Sequence, residues 1–176
     1  MKSTILLKAL AACSKTLLEN KTPEIVINKV LASIGSAANV DRAYIFKNVY
    51  VQGKLKSIKY AYEWCNYGVE SYLNVEDKNL FIWDELTELR DSMLYGKCLV
   101  SLTADIENPV LKKSLQAQNI KSVMVMPIFV DLIFWGYIGF DECKTERIWD
   151  EAELITLSSI AFNIGIYIQR NELELK

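Results

Sequence analysis

Apolar residues recur with helical spacing at both ends of the chain. The N-terminal stripe has 4-3-4 spacing and consists of Leu6, Leu10, Cys13 and Leu17. This spacing places the four side chains on one face of an amphipathic helix. A second helix is predicted to begin at Pro23 behind a Thr22 cap and to end at Gly35, because Pro is favoured at the first helical position and Gly just after the last.

The middle of the chain changes to short runs rich in β-branched and aromatic residues. The predicted strands are 43–51, 55–64, 98–102, 122–130 and 134–142. The first two are separated by Gln52-Gly53-Lys54, which indicates a hairpin. Short helices are predicted at 81–94 and 109–118, and the aperiodic segment 66–79 is predicted to be a loop.

The longest apolar stretch, Val123 to Phe140, approaches the length of a membrane span. Asp131 stands in its middle, and Pro127, Gly136 and Gly139 interrupt it. Two buried strands joined by a tight turn therefore explain this stretch better than a membrane helix does. We expect no membrane contact within this chain.

The last helix has the clearest start signal. Asp150 and Glu153 form an acidic capping box, which predicts a helix from residue 150 to the end of the chain. One apolar stripe on it consists of Leu154, Leu157, Ala161, Ile164, Ile168 and Leu175, and a second consists of Ile155, Phe162 and Ile166. Two apolar faces require two partners, so we expect one to meet the sheet or the N-terminal helices and the other to meet a second chain. The alternative is a core helix buried on all sides in a monomer.

Together these elements predict one α+β domain. A length of 176 residues suits a single domain, and 51% hydrophobic residues suit a folded one. The expected architecture is a twisted, mostly antiparallel sheet of about five or six strands with the terminal helices on one face. Residues 1–38 would supply the N-terminal helices, 41–142 the sheet, and 150–176 the C-terminal helix.

Composition removes several classes of function. The chain has no histidine, which excludes a Ser-His-Asp triad, a His-ligated metal or haem, and a phospho-accepting histidine within it. A net charge of −2 gives no basic surface for nucleic acid. Cys13, Cys65, Cys98 and Cys143 have no metal-ligand spacing and are expected to be free thiols in a reducing cytoplasm. We expect neither a metal nor a cofactor.

Segments in the second half of the chain resemble one family. Residues 120–128, Ile-Lys-Ser-Val-Met-Val-Met-Pro-Ile, resemble the Ile-x-Ser-apolar-apolar-apolar-x-Pro-apolar strand of GAF domains, which are regulatory sensor modules of signalling proteins. Residues 135–141, Trp-Gly-Tyr-Ile-Gly-Phe-Asp, resemble the family's next strand. Arg147-Ile148-Trp149 before an acidic helix start is common in GAF domains of bacterial sensor kinases and cyclases. Residues 41–46 suit the family's first strand.

The resemblance implies helices on one side of the sheet and a pocket covered by loops and helices on the other. The residues expected to bind a ligand there are six aromatic side chains and two methionines: Tyr62, Trp64, Tyr67, Phe81, Trp83, Tyr95, Met124 and Met126. Aromatic faces supply large contact area with few rotatable bonds, which suits a small flat or apolar ligand. The alternative is that the same rings close a ligand-free core.

Special chemistries of this family can be compared with the residues present. Its bilin chromophores usually attach to a Cys followed by His, and its haem sensors use a proximal His, so the absence of histidine disfavours both. Cyclic-nucleotide GAF domains separate a Phe from an acidic pair, whereas Phe140, Asp141 and Glu142 are contiguous here. Adjacent strand residues point to opposite faces, so Asp141 and Glu142 are expected to be solvated or ion-paired and not a catalytic pair.

The function implied by the resemblance is that of a cytoplasmic, non-enzymatic sensor. It would act on an output domain outside this chain, such as a histidine kinase or a diguanylate cyclase, in two-component or cyclic-di-GMP signalling. The helical pattern continues to Lys176, so we expect a fragment of a longer signalling protein. A homodimer contact is expected on the terminal helices, at Leu6, Leu10, Leu17, Leu157, Ile164 and Ile168.

Two alternatives remain at this point. One is a ligand-free dimerisation module. The other is a free methionine sulfoxide reductase, an enzyme class that shares the family fold and would need Cys65 and Cys98 to meet as attacking and resolving thiols.

Overall fold

The computed structural model describes residues 1–19, 21–74 and 80–174. Long helices stand at both ends of this described part, and six strands and two short helices lie between them. The helices in these residues are α1 (Lys2–Thr16), α2 (Pro23–Ala38), α3 (Thr87–Leu94), α4 (Pro109–Ala117) and α5 (Glu151–Glu174). The strands are β1 (Arg42–Val51), β2 (Lys54–Cys65), β3 (Leu80–Ile82), β4 (Leu99–Leu102), β5 (Ser122–Val130) and β6 (Ile133–Glu142). Short 3-10 turns cover Trp83–Glu85 and Thr103–Asp105.

The strands form one antiparallel sheet in the order β3-β2-β1-β6-β5-β4. Both predicted hairpins are present. The β1–β2 turn holds Gln52 and Gly53 at φ of 51° and 74°, and the β5–β6 turn holds Asp131 and Leu132 at φ of 49° and 65°. Two successive left-handed residues give a turn whose twist matches that of the flanking strands. The predicted α+β class and antiparallel sheet are confirmed.

One face of the sheet carries α1, α2 and α5. Their inward side chains and those of the sheet form one core, in which Ile34, Met124, Ile138 and Ile164 are completely buried. We call this the helical face. It buries the apolar stripes of both terminal segments, as their spacing requires.

The opposite face carries a second core that is rich in aromatic rings. Phe46 lies 4.3 Å from Tyr60 and 5.2 Å from Tyr137, measured between ring centroids. Helices α3 and α4, the two 3-10 turns and the residue after the second turn lie over these rings, and we call them the cover. They contribute Met93, Leu115, Trp83 and Ile106. We call this side the covered face.

The predicted start of the last helix is confirmed by its hydrogen bonds, whereas the predicted end of the second helix is not. The Glu153 N–H donates to Asp150 Oδ1 at 2.9 Å, and the Asp150 N–H donates to Glu153 Oε2 at 2.8 Å, which completes the capping box. α2 continues past Gly35 to Ala38, where Asn39 in the left-handed conformation ends it. Gly35 is needed inside the helix because a Cβ there would stand 2.4 Å from the Trp64 ring.

The region before α3 differs from its prediction. The segment predicted to be a helix from residue 81 begins as β3, which pairs with Ser57–Lys59 of β2. It continues as a 3-10 turn at Trp83–Glu85 and becomes α-helical at Thr87. A strand of three residues is too short to show a period. Residues 66–74 form neither helix nor strand, as predicted, and the remainder of the predicted loop, 75–79, lies outside the described residues.

The residues predicted to form a dimer contact lie inside a single chain. Leu6, Leu17, Leu157, Ile164 and Ile168 are buried in the helical-face core, and Leu10 packs against it. The second stripe of α5 is the exposed one: Ile155 is 59%, Phe162 69% and Ile166 51% exposed. The spacing identified both stripes but did not show which of them meets the sheet. The prediction that the stripe with Leu157, Ile164 and Ile168 forms the dimer contact is therefore wrong. Leu175, assigned to the inner stripe, lies outside the described residues.

By length and composition α5 suits a membrane span, with a mean hydropathy of 1.2 over residues 151–172. In the structure 44% of its most apolar stretch is buried, and the helix packs on α1, α2 and β5. This is the arrangement of a core helix. The stretch 123–140 consists of β5, a tight turn and most of β6, as predicted.

The two stripes of α5 should respond differently to truncation. Ile164→Ala leaves a cavity under the helix and is expected to lower the free energy of unfolding by about 2 to 5 kcal/mol. Phe162→Ala removes an exposed ring from the same helix and is expected to change it by less than about 0.5 kcal/mol. Urea unfolding of both variants at one low protein concentration measures the difference. Equal losses would contradict the assigned helix orientation.

Candidate functional site

A small cavity lies between the covered face of the sheet and helices α3 and α4. We call it the sheet cavity, and its volume is about 40 Å³. Its walls include Tyr44, Phe46, Tyr60, Phe81, Val123, Val125, Tyr137 and Asp141 from the sheet and Leu89, Leu111, Ser114, Leu115 and Gln118 from the helices. A water molecule needs about 10 to 15 Å³ of such space, so the cavity accepts a few water molecules or a group of similar size.

Asp141 forms the polar end of the sheet cavity. It is 1% exposed; the Tyr44 hydroxyl donates to Oδ1 at 3.0 Å, and Arg42 Nη1 donates to Oδ2 at 3.3 Å. Arg42 is equally buried, and its other hydrogen bonds go to Gln118 Oε1 and to the carbonyl oxygen of Glu70, both at 3.1 Å. A guanidinium removed from water needs such partners. These hydrogen bonds connect β1 to β6, to the end of α4 and to the segment around Glu70.

A second carboxylate completes this buried group. Glu63 Oε1 lies 3.4 Å from Arg42 Nε, and the Glu63 side chain is 2% exposed. It accepts hydrogen bonds from the Tyr60 hydroxyl at 3.0 Å and from the Tyr72 N–H at 3.1 Å. The group therefore holds two carboxylates for one guanidinium.

Burial raises the pKa of Asp141 to about 7. The attraction of Arg42 and the hydrogen bond from Tyr44 oppose this rise, and the negative charges of Glu63 and Glu142 add to it. Burial has the largest effect because the carboxyl is cut off from solvent on every side. A carboxyl with such a pKa changes charge near neutral pH, which is typical of functional sites.

Few of the residues predicted to bind a ligand line the sheet cavity. Phe81 does so. Trp83 lies close by but is completely buried, and its indole N–H donates to Asn48 Oδ1 at 3.0 Å, so it is a core residue of the cover. Tyr67 and Tyr95 are 96% and 85% exposed and lie outside any pocket wall described here.

The other four predicted residues, Tyr62, Trp64, Met124 and Met126, lie on the helical face. The two β2 residues lie on the helical face because the register of β2 with β1 is irregular. Ile45 pairs with Tyr62, but the next residue, Phe46, pairs with Tyr60. The extra residue in β2 exchanges the faces, so Tyr60 lines the cavity while Tyr62 meets α2. In β5 the alternate residues Val123 and Val125 face the cavity in place of the methionines.

Sequence reasoning missed the polar residues of the cavity. Asp141 was expected to be solvated or ion-paired; it is ion-paired but fully buried. The available signal was Arg42, a charged residue within the apolar run Ala43 to Phe46, since a charge inside a buried strand requires an opposite charge nearby.

The cysteines do not form a thiol pair of the kind a reductase needs. Cys65 is in register with Arg42, Asp141, Val123 and Ser101 across the sheet. Cys98 lies three residues before Ser101, so four strand spacings, or about 19 Å along the sheet, separate it from Cys65. Burial also raises the pKa of Cys65 to about 11, which keeps that thiol protonated. The described residues contain no group of side chains suited to a metal ion.

A second charged group connects β6 to α5. Arg147 donates to Glu142 of β6 and to Glu153 in the first turn of α5. It also donates to the backbone carbonyl oxygens of Asn39 at 2.9 Å and Ala38 at 2.6 Å, at the end of α2. We call this the Arg147 cluster. It fixes the start of α5 to the strand that carries Asp141.

Comparison with known proteins gives a family and a relative. The family model described as GAF domain matches residues 22–168. The methanogenesis regulatory histidine kinase FilI of Methanothrix harundinacea is 35% identical over 166 residues, which are 94% of this chain and 18% of the kinase. The chain thus spans less than a fifth of the length of that relative.

Solved structures share the fold. The phycocyanobilin-bound GAF domain from a cyanobacterial phytochrome has a TM-score of 0.78 at 20% identity, over 99% of this chain and 97% of that chain. The phycoerythrobilin-bound GAF domain from a cyanobacterial phytochrome has a TM-score of 0.79 at 19% identity, over 100% of this chain and 98% of that chain. At these identities the likeness shows the fold.

The raised pKa of Asp141 should appear as a pH dependence of stability. The folded state binds this proton more tightly than the unfolded state, whose Asp has its ordinary pKa of 3.8. The stabilisation is therefore complete below about pH 4 and is lost as the pH rises through about 7. Asp141→Asn removes this contribution, so the stability difference between wild type and variant should change by up to about 4 kcal/mol over that interval.

Urea unfolding of both proteins from about pH 4 to 8 checks this. Asp131→Asn, which removes an exposed carboxylate in the β5–β6 turn, is the matched control and should run parallel to wild type. A parallel course for Asp141→Asn as well would contradict the assigned pKa.

Proposed function

The chain belongs to the GAF domain family, and on this premise we propose that it is the sensor module of a signalling protein. It binds a small molecule in the sheet cavity and passes the change through β6 to α5. From there the change reaches an attached output domain, such as a histidine kinase or a diguanylate cyclase. The module itself carries out no chemical reaction, and it works in the cytoplasm in two-component or cyclic-di-GMP signalling.

The observation that carries this proposal is the position of two neighbouring residues in β6. Asp141 faces the sheet cavity, and Glu142, on the opposite side of the strand, binds Arg147. Arg147 in turn binds Glu153 at the start of α5. A change of charge or position at Asp141 is therefore one residue away from the contact that holds the C-terminal helix.

The relative supports an attached output domain. FilI is described as a histidine kinase, and the match covers a small part of its length. A histidine kinase transfers phosphate to a histidine, and this chain contains none, so a separate sensing module is the role that suits this part. Fold likeness alone does not assign a ligand.

A ligand-free dimerisation module is the second candidate, favoured by the small volume of the cavity. Rings of Tyr44, Phe46, Tyr60 and Tyr137 already pack against one another there. A reductase is not proposed, because Cys65 lies at the end of β2 and Cys98 just before β4, which are four strand spacings apart in the sheet.

We place the homodimer contact on the outer stripe of α5, formed by Ile155, Phe162 and Ile166. These positions are more than half exposed and lie on one side of the helix at 7-4 spacing. A second copy of the helix would cover them, and paired helices can pass a small shift to a following domain.

Phe162→Glu is expected to weaken self-association, because it sets like charges against each other in the centre of the contact. The fold should be retained, since Phe162 is 69% exposed. Tyr95→Glu, which also replaces an exposed ring by a charge, is the matched control and should associate like wild type. Sedimentation velocity over a range of concentrations measures this. A monomeric wild type, or an equally dimeric Phe162→Glu, would overturn the contact.

The proposed transmission from Asp141 through Glu142 and Arg147 to α5, which we call the relay, is tested by a double-mutant cycle. The effect of each variant is measured by amide hydrogen exchange. Arg147→Met should speed amide exchange at residues 151–157, because the first turn of α5 loses its anchor. Asp141→Asn should alter exchange in the same segment when Arg147 is present and leave it unchanged in the Arg147→Met background. Arg90→Met removes the ion pairs to Asp84 and Asp91 and serves as control, with no expected effect on α5. Additive effects of Asp141→Asn and Arg147→Met would contradict the relay.

A further inference from the structure

We infer that the sheet cavity binds a small protonated amine, with its ammonium group held by Asp141. This inference rests on the proposed function, because it concerns the ligand of the same cavity. It follows from the charges, the unused hydrogen-bond acceptors and the volume of the cavity.

The charge that faces the cavity is negative. Asp141 is the one charged side chain among the described residues that line it. Arg42 is not part of the wall: its terminal nitrogens donate to Asp141, Gln118 and the Glu70 carbonyl, and its Nε is buried 3.4 Å from Glu63 Oε1 without a hydrogen bond to any described residue. A carboxylate ligand would therefore meet a carboxylate and find no free guanidinium, whereas a cation would meet an opposite charge.

The cavity also holds unused acceptors. A carboxylate has about four acceptor sites, and Asp141 uses one oxygen for Tyr44 and the other for Arg42. The Tyr137 side chain also lines the cavity and is 7% exposed, and its hydroxyl makes no hydrogen bond to the described residues. An ammonium group, which has only donors, can satisfy both residues.

The buried group around Arg42 has one negative charge in excess, from Asp141 and Glu63 against a single guanidinium. Burying an unbalanced charge is costly, so either a proton on Asp141 or a bound cation has to balance it. Aromatic rings line the cavity, and an aromatic ring attracts a positive charge placed over its face. Tyr44, Phe46, Tyr60 and Tyr137 provide such rings.

The volume limits the size of the amine. At about 40 Å³ the cavity accepts ammonium or methylammonium, which are close to water in size. A nucleotide or a bilin needs several hundred cubic ångströms, on the order of 300 to 1,000 Å³. The leucine side chains at 89, 111 and 115 suit a methyl group next to the charged end.

Methylammonium chloride is the probe, titrated into the protein at about pH 8, where Asp141 is ionised, with sodium chloride keeping the ionic strength constant. We expect a saturable rise in melting temperature and a matching calorimetric isotherm. Asp141→Asn should weaken the affinity about tenfold to a hundredfold, and Tyr137→Phe should weaken it less. Asp131→Asn, the exposed control, should bind like wild type.

Ser114→Leu provides a test that leaves Asp141 and its partners in place. Ser114 lies on α4 at the cavity wall, so leucine should fill the space, retain the fold and abolish binding, while Ser114→Ala should bind normally. Absence of a saturable response, or equal binding by Asp141→Asn, would overturn the amine inference. If acetate or methanol binds instead and Ser114→Leu prevents it, the ligand class is wrong while the sensor function stands.

Discussion

The burial of Arg42 is the constraint on which the rest of this structure depends. A guanidinium that is 1% exposed must be surrounded by acceptors, and no single segment of the chain can provide them. Glu63 of β2, Asp141 of β6 and Gln118 after α4 therefore have to converge on β1. This convergence holds the cover against the sheet and also places a carboxylate at the end of a small cavity.

Features that depend on local chemistry could be predicted from the sequence. The capping box at Asp150 and the hairpin turn at Gly53 both follow from residues that are neighbours along the chain. The face of each side chain on a strand depends on register, which is not local. One extra residue in β2 exchanges the faces of Tyr60 and Tyr62, and a period of two cannot reveal it.

The orientation of α5 is a second feature that the local pattern did not predict, although one residue of the helix indicates it. Both of its stripes have helical spacing, so spacing alone could not decide which stripe is buried. Gly165 could have decided it, because a Cβ at this position would stand 2.3 Å from the Phe129 carbonyl oxygen. A glycine inside a long helix weakens the helix unless a close backbone approach requires it. Its side of α5, with Ile164 and Ile168, is the side that meets the sheet.

We propose that the occupant of the sheet cavity controls the start of α5. Backbone amide NMR during a methylammonium titration tests this control, since every residue reports separately. If the control operates, Tyr137, Asp141 and residues 151–157 shift with one common midpoint, as linked sites must. Shifts confined to exposed acidic residues, or shifts at Asp141 that leave the start of α5 unchanged, would contradict it.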